Sequence, residues 1–112
     1  MSPHARRYAA WSGLFVGGAA WFAHHQVTSD RVYWACTTGG PLLTGGLGAL
    51  CFIIAAGSGL VSWRARSGRP DRTEGPESST FAGVVSAGAA ALFCFAILLQ
   101  GLTGFIVPAC VR

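Results

Sequence analysis

The sequence predicts an all-α membrane protein of three transmembrane helices, with its N-terminus inside and its C-terminus outside. Three observations lead there. Hydrophobic residues make up 52% of the 112 and charged residues only 11%, where a soluble domain carries roughly 25% charged residues. The apolar residues fall in long blocks. Between Tyr8 and Trp63 the only Asp, Glu, Lys or Arg are Asp30 and Arg31, and between Thr80 and Val111 there is none. Finally, all eight basic residues are Arg, and six of them lie in two clusters. The net charge of +4 belongs to those clusters, which the positive-inside rule explains without a nucleic-acid partner.

A helix needs about 20 apolar residues to cross a hydrocarbon layer about 30 Å thick. The first span is expected over Tyr8–Val27, with Leu14, Phe15, Val16, Trp21 and Phe22 as its apolar body. The second begins at Pro41, suited to a first helical turn, and runs to Trp63. The third covers Thr80–Val107, where Pro108 stops it; it exceeds one bilayer thickness and so tilts or protrudes. Residues 1–112 thus form a single transmembrane domain with an outer loop over 28–40 and a cytoplasmic loop over 64–79. The segment Ser67–Ser79 (SGRPDRTEGPESS) carries Gly and Pro breaks among mixed charges and reads as irregular.

Orientation follows from Arg. Arg6 and Arg7 precede the first span, and Arg64, Arg66, Arg69 and Arg72 follow the second. Two spans separate the clusters, so both fall on one side, which the rule makes cytoplasmic. The location expected is a bacterial inner membrane. Tyr8, Trp11 and Trp63 mark the inner interface, and Trp21, Tyr33 and Trp34 the outer one. A cleaved signal peptide is the alternative for the first block, with Gly18-Ala19-Ala20 as its small-residue site. The block stays apolar past that point, through Trp21 to Ala23, which favours a retained helix.

Helices in lipid attract one another by close backbone approach. Gly13 and Gly17 form a GxxxG step, continued by Ala20 and His24; Gly45 and Ala49 give the second helix a small-residue stripe, and Gly83 and Ala87 the third. These faces either hold the three helices together or receive helices of other membrane subunits.

Cys51 and Cys94 fall within spans and read as small packing residues. Cys36 and Cys110 share the outer, oxidising side of this topology, which predicts a structural disulfide between them. A thiolate metal pair is the competing reading, against which stands the long separation of the two residues. His24 and His25 lie near the outer end of the first helix, and Gln100 in the outer half of the third, at a depth from which it reaches toward either imidazole. Intramembrane polar groups are functional candidates, and neutral imidazole ligates haem iron or copper. Neighbouring helical positions point about 100° apart, so the two His do not share one ion easily. The sequence therefore commits to no cofactor and no metal; haem or copper is the class that His24 or His25 would take. Nothing catalytic stands out: no paired intramembrane carboxylates, nucleophile motif or phosphate loop. The lack of a buried carboxylate argues against a transporter or a small multidrug exporter.

The residues Trp21-Phe22-Ala23-His24-His25-Gln26, Cys36, Pro41, Ser62-Trp63-Arg64, Leu99-Gln100 and Pro108-Ala109-Cys110 resemble a pattern of small bacterial three-helix proteins encoded with cytochrome c oxidase genes. The resemblance spans most of the chain through short motifs. It implies an accessory subunit or assembly factor of a haem–copper oxidase, without catalysis of its own. The alternative is a haem- or copper-binding membrane protein that uses His24 or His25 near the outer face. An optical spectrum separates the two.

Overall fold

A computed structural model describes residues 2–34, 41–66 and 76–106. They form three helices: α1 over Pro3–Trp34, α2 over Pro41–Arg66 and α3 over Pro76–Ile106. Each begins on a proline, whose missing N–H belongs to a position that has no intrahelical acceptor anyway. Ser2 caps α1: its hydroxyl accepts from the Ala5 amide at 3.2 Å, and its carbonyl accepts from Arg6 at 3.1 Å. Arg64 and Arg66 occupy the last turn of α2, where cations meet the negative end of the helix dipole.

The contacts set the directions. Gly13 of α1 meets Ser62 of α2, while His24 meets Gly48, so these two helices are antiparallel. Gly13 also meets Ser86 of α3, and His24 meets Gln100, so α1 and α3 run parallel. The bundle is up–down–up, with every pair of helices in contact.

Its interior is built from small residues. The buried positions of α1 are Ala10, Gly13, Gly17, Ala20 and His24, and those of α2 are Gly48, Cys51, Ala55, Ser58, Ser62 and Ala65. Both rows step by three and four, the period of one continuous seam. In α3 the seam is Ala82, Gly83, Ser86, Ala90 and Ile97. Apolar packing concentrates in two groups: Ala20, Cys51, Ala55 and Ile97 toward one end, and Ala10, Ala65 and Ala82 toward the other. The backbones come close enough to exclude a methyl group at two crossings. A Cβ on Gly13 would lie 2.6 Å from the Ser86 carbonyl oxygen, and one on Gly83 would lie 2.9 Å from that of Ser62.

The large apolar side chains point outward instead. Leu42 is 88% exposed, Ile106 75%, Leu92 71% and Phe15 67%. A protein in water hides such residues and shows few contiguous apolar patches; this one hides Ala, Gly and Ser. Among the described residues two helices are long and apolar enough to cross a membrane, over Leu42–Arg66 and Thr80–Thr103. At 1.5 Å per residue, the 26 residues of α2 reach about 39 Å. Of the three spans expected, α2 and α3 have the length and apolarity to cross, among the described residues. The 32-residue α1 is long enough but interleaves its apolar residues with Ser12, His24, His25 and Gln26, and it carries Arg, Asp or both at either end.

The element limits also differ from expectation. Residues 28–34, assigned to the outer loop, are helical. The segment contains neither Gly nor Pro, and the Thr28 hydroxyl donates to the carbonyls of His24 and His25. Apolarity ends at Val27, but nothing there ends the hydrogen-bond ladder. Likewise 64–66 and 76–79, assigned to the cytoplasmic loop, belong to α2 and α3.

Candidate functional site

One residue on α3 ties together two on α1. His24 faces the bundle seam and has no exposed surface; its Nδ1 lies 3.1 Å from Gln100 Oε1. His25, one position on, turns about 100° away and is exposed. Its Nδ1 nevertheless lies 2.8 Å from Gln100 Nε2. The two ends of a single amide thus bridge rings that could not share one atom. The sequence places these three residues at one depth; the amide's two heads are what make one residue serve both rings.

With the amide in this orientation, the chemistry of each ring follows. Oε1 only accepts, so a neutral His24 carries its proton on Nδ1 and keeps a lone pair on Nε2. Nε2 of Gln100 donates, so His25 accepts at Nδ1 and carries its proton on Nε2. Gln100 holds the two imidazoles in opposite tautomers. His25 is fixed further by Trp21, whose ring stacks on it at 5.5 Å and 16°, and Trp21 in turn stacks on Phe93 of α3 at 6.0 Å.

The Nε2 atom of His24 is buried and makes no hydrogen bond. Leaving such a group unpaired costs about 1–3 kcal/mol. Its nearest neighbour across the seam is Gly48, where a Cβ would stand 3.2 Å away. Gly48 also lines an apolar groove of about 290 Å³ between α2 and α3, together with Gly45, Phe52, Ile97, Gly101 and Phe105.

A second polar knot lies toward the other end, and hydrophobic periodicity did not mark it. Ser62 of α2 inserts its hydroxyl against the α1 backbone, accepting from the Gly13 amide at 2.7 Å and donating to the Ala9 carbonyl at 3.2 Å. Ser12 adds a bond of 2.8 Å to the Ala9 carbonyl and approaches Ser62 Oγ at 3.3 Å. Ser86 is fully buried nearby, with its hydroxyl unpaired. A periodicity reading skips these serines because they resemble the Ala and Gly around them in size. The signal that would have found them is their spacing: Ser58 and Ser62 are one turn apart on a seam of small residues.

The other candidates divide as follows. Gly13, Gly17 and Gly83 are buried at helix crossings; Gly45 and Ala87 are half-buried, and Ala49 is exposed on the groove side. Gly45 packs beneath Phe105, with the ring 3.0 Å from where a Cβ would be. Cys51 is buried and Cys94 half-buried, both as thiols. Cys36 and Cys110 lie outside the described residues, as do Pro108 and the tail. At the Arg-bearing end, Arg66 lies over the Trp63 ring at 3.4 Å, a cation–π contact. Among the described residues no three His, Cys, Asp or Glu side chains converge.

No protein family, no curated protein and no solved structure matches this chain.

Proposed function

We propose that this chain is a non-catalytic accessory subunit or assembly factor of a bacterial respiratory complex, embedded in the inner membrane with its N-terminus cytoplasmic. A haem–copper oxidase is the complex to which the sequence resemblance points. The observation that carries the reading is the inverted distribution of side chains. The small residues that the three helices need for one another are spent inside. Outside remain large apolar side chains and, among the described residues, the exposed Gly46, Gly57 and Gly88, which like the half-buried Gly101 have nothing within 4 Å of a would-be Cβ. Exposed glycine on a spanning helix contributes no lipid contact but admits a close-packed neighbour.

The helix packing is compatible with that orientation. Ala9 and Ala10 of α1 pack at the level of Ser62 and Ala65 of α2, so Arg6, Arg7, Arg64 and Arg66 gather at one end of the bundle. A single cytoplasmic end with four Arg satisfies the positive-inside rule. The exposed Phe15, Val16 and Phe22 of α1 support its crossing beside the other two.

The second reading, a haem or copper protein, has one observation in its favour. His24 donates from Nδ1 to an amide and keeps Nε2 free, the arrangement of a metal-ligating imidazole. The fit fails on space and ligand count. Nε2 is buried, 3.2 Å from where a Gly48 Cβ would stand, and His24 has no exposed surface for a macrocycle to reach. Copper needs further ligands beside it, and His25 has its Nδ1 engaged by Gln100.

Purification in mild detergent tests the proposal: intact partner subunits should accompany the chain and name the complex. The preparation of the isolated chain should be colourless. A Soret band that disappears in His24→Ala or His25→Ala would overturn the non-catalytic, cofactor-free reading.

A further inference from the structure

Gln100 stands between two imidazoles whose access to protons is opposite. His24 has no exposed surface, whereas His25 is exposed. Each ring meets a different end of one amide: His24 Nδ1 lies 3.1 Å from Oε1, and His25 Nδ1 lies 2.8 Å from Nε2. An amide accepts at one end and donates at the other, and half a turn exchanges the two. What one ring requires of the amide therefore fixes what the other is offered.

Imidazole changes charge between about pH 5 and 8. Neutral His25 accepts at Nδ1 and carries its proton on Nε2, so a proton taken up goes to Nδ1. That sets an N–H against the Gln100 NH₂ group, donor facing donor, across 2.8 Å. The Trp21 ring stacked on His25 holds it in place, because an aromatic face attracts a cation, and Trp21 is itself stacked on Phe93. The amide is the part that turns. Oε1 then accepts from His25, and Nε2 donates to His24 Nδ1, which must give up its own proton.

His24 can comply because its other nitrogen is uncommitted. Nε2 makes no hydrogen bond, so a proton placed there displaces none. In either state His24 keeps one bond through Nδ1 and one unpaired Nε2. Few other groups compete for the proton. Residues 41–51 of α2 and Thr80–Ile106 of α3 contain no Asp, Glu, Lys, Arg or His, and their titratable side chains are the thiols of Cys51 and Cys94. On α1, Asp30 lies five positions beyond His25, about 140° round the helix.

We propose that Gln100 relays the charge state of the exposed His25 to the buried His24. One proton enters, at His25 Nδ1. At His24 a proton leaves Nδ1 and one arrives at Nε2, through water admitted when that end of the bundle opens locally, so the charge of this ring does not change. The result is a hydrogen on the edge of His24 that stands against Gly48. Protonation at the surface is thus felt in the seam between α1 and α2. The relay is independent of what the bundle docks against.

The test uses the full chain with ¹⁵N-labelled histidine in phosphatidylcholine nanodiscs, titrated from about pH 8.5 to about pH 5, across the imidazole range. At the alkaline end His24 should be protonated on Nδ1 and His25 on Nε2. As His25 becomes doubly protonated, His24 should reverse its tautomer with the same midpoint and remain neutral. In Gln100→Leu, His25 should still titrate while His24 no longer follows. His25→Phe, which keeps a ring to stack on Trp21 at an exposed position, should leave a His24 whose tautomer does not depend on pH; it keeps the test decisive if Gln100→Leu fails to fold. A His24 that stays protonated on Nδ1 while His25 titrates, a doubly protonated His24, or a pH-dependent His24 tautomer in either variant would each overturn the proposal.

Discussion

Ser62 supplies to Gly13 what a side chain normally cannot: its hydroxyl lies 2.7 Å from the amide nitrogen of a residue in the middle of another helix. The approach is possible because Gly13 has no Cβ, which would stand 2.9 Å from that same hydroxyl oxygen. The pair shows how this bundle is held. Glycine on one helix brings a backbone within reach, and serine on the next uses the opening.

Gly13→Ala is therefore expected to destabilise the bundle by about 1–3 kcal/mol, the usual range for overpacking a tight contact. The new methyl would lie 2.6 Å from the Ser86 carbonyl oxygen, which is backbone and cannot swing aside. Unfolding of the purified protein by a denaturing detergent reads the loss. Wild-type stability in the variant would show that α1 and α3 do not pack this closely.

Ser62→Ala should cost less, about 0.6–2 kcal/mol, because interhelical hydrogen bonds in membranes are individually modest. Ser62→Gly should be no better, since neither residue supplies the hydroxyl. Restoration by Ser62→Thr is not expected, as its extra methyl enters a site with no exposed surface. The same detergent titration compares the three.

Gln100→Leu removes both imidazole bonds at once. His24 would then hold two unpaired ring nitrogens in a buried site, at a cost of about 1–3 kcal/mol. His25 is exposed and keeps its Trp21 stack, so it should lose little. In ¹⁵N spectra, the Nδ1 proton of His24 should lose its preference for one tautomer, while His25 changes only slightly. Equal disturbance at both rings would contradict the asymmetry of their burial.

Gly57→Leu and Gly88→Leu should leave the isolated bundle within about 0.5 kcal/mol of wild type, as surface changes do, since nothing lies within 4 Å of either site. They should nonetheless reduce recovery of partner subunits in mild detergent. Full recovery with both variants would remove these faces from the docking surface.

Thiol labelling addresses the cysteines. The disulfide expected from the sequence predicts that reagents applied from the outside modify Cys36 and Cys110 only after reduction, and that mass spectrometry finds one bridge between them. Cys51, buried in the seam beside Ala20 and Ala55, should resist labelling until the protein is denatured. Labelling of Cys36 without reductant would exclude the disulfide.

The sequence by itself determined the all-helical class and the helix start at Pro41, because long apolar blocks and prolines act locally, through solvation and a missing N–H. It also marked Gly13, Gly17, His24 and Gln100, since residues of unusual size or polarity stand out in an apolar block. The extension of α1 to Trp34 escaped that reading: hydrophobicity reports where lipid ends, and the helical ladder ends for different reasons. The serine knot and the role of Gly48 escaped it too. Ser62 bonds Gly13 across 49 positions, and Gly48 matters only because the His24 ring of another helix stands against it. Which nitrogen of His24 stays free was decided by the tertiary structure alone, because an imidazole's tautomer follows from the partner that reaches it, and here that partner comes from α3.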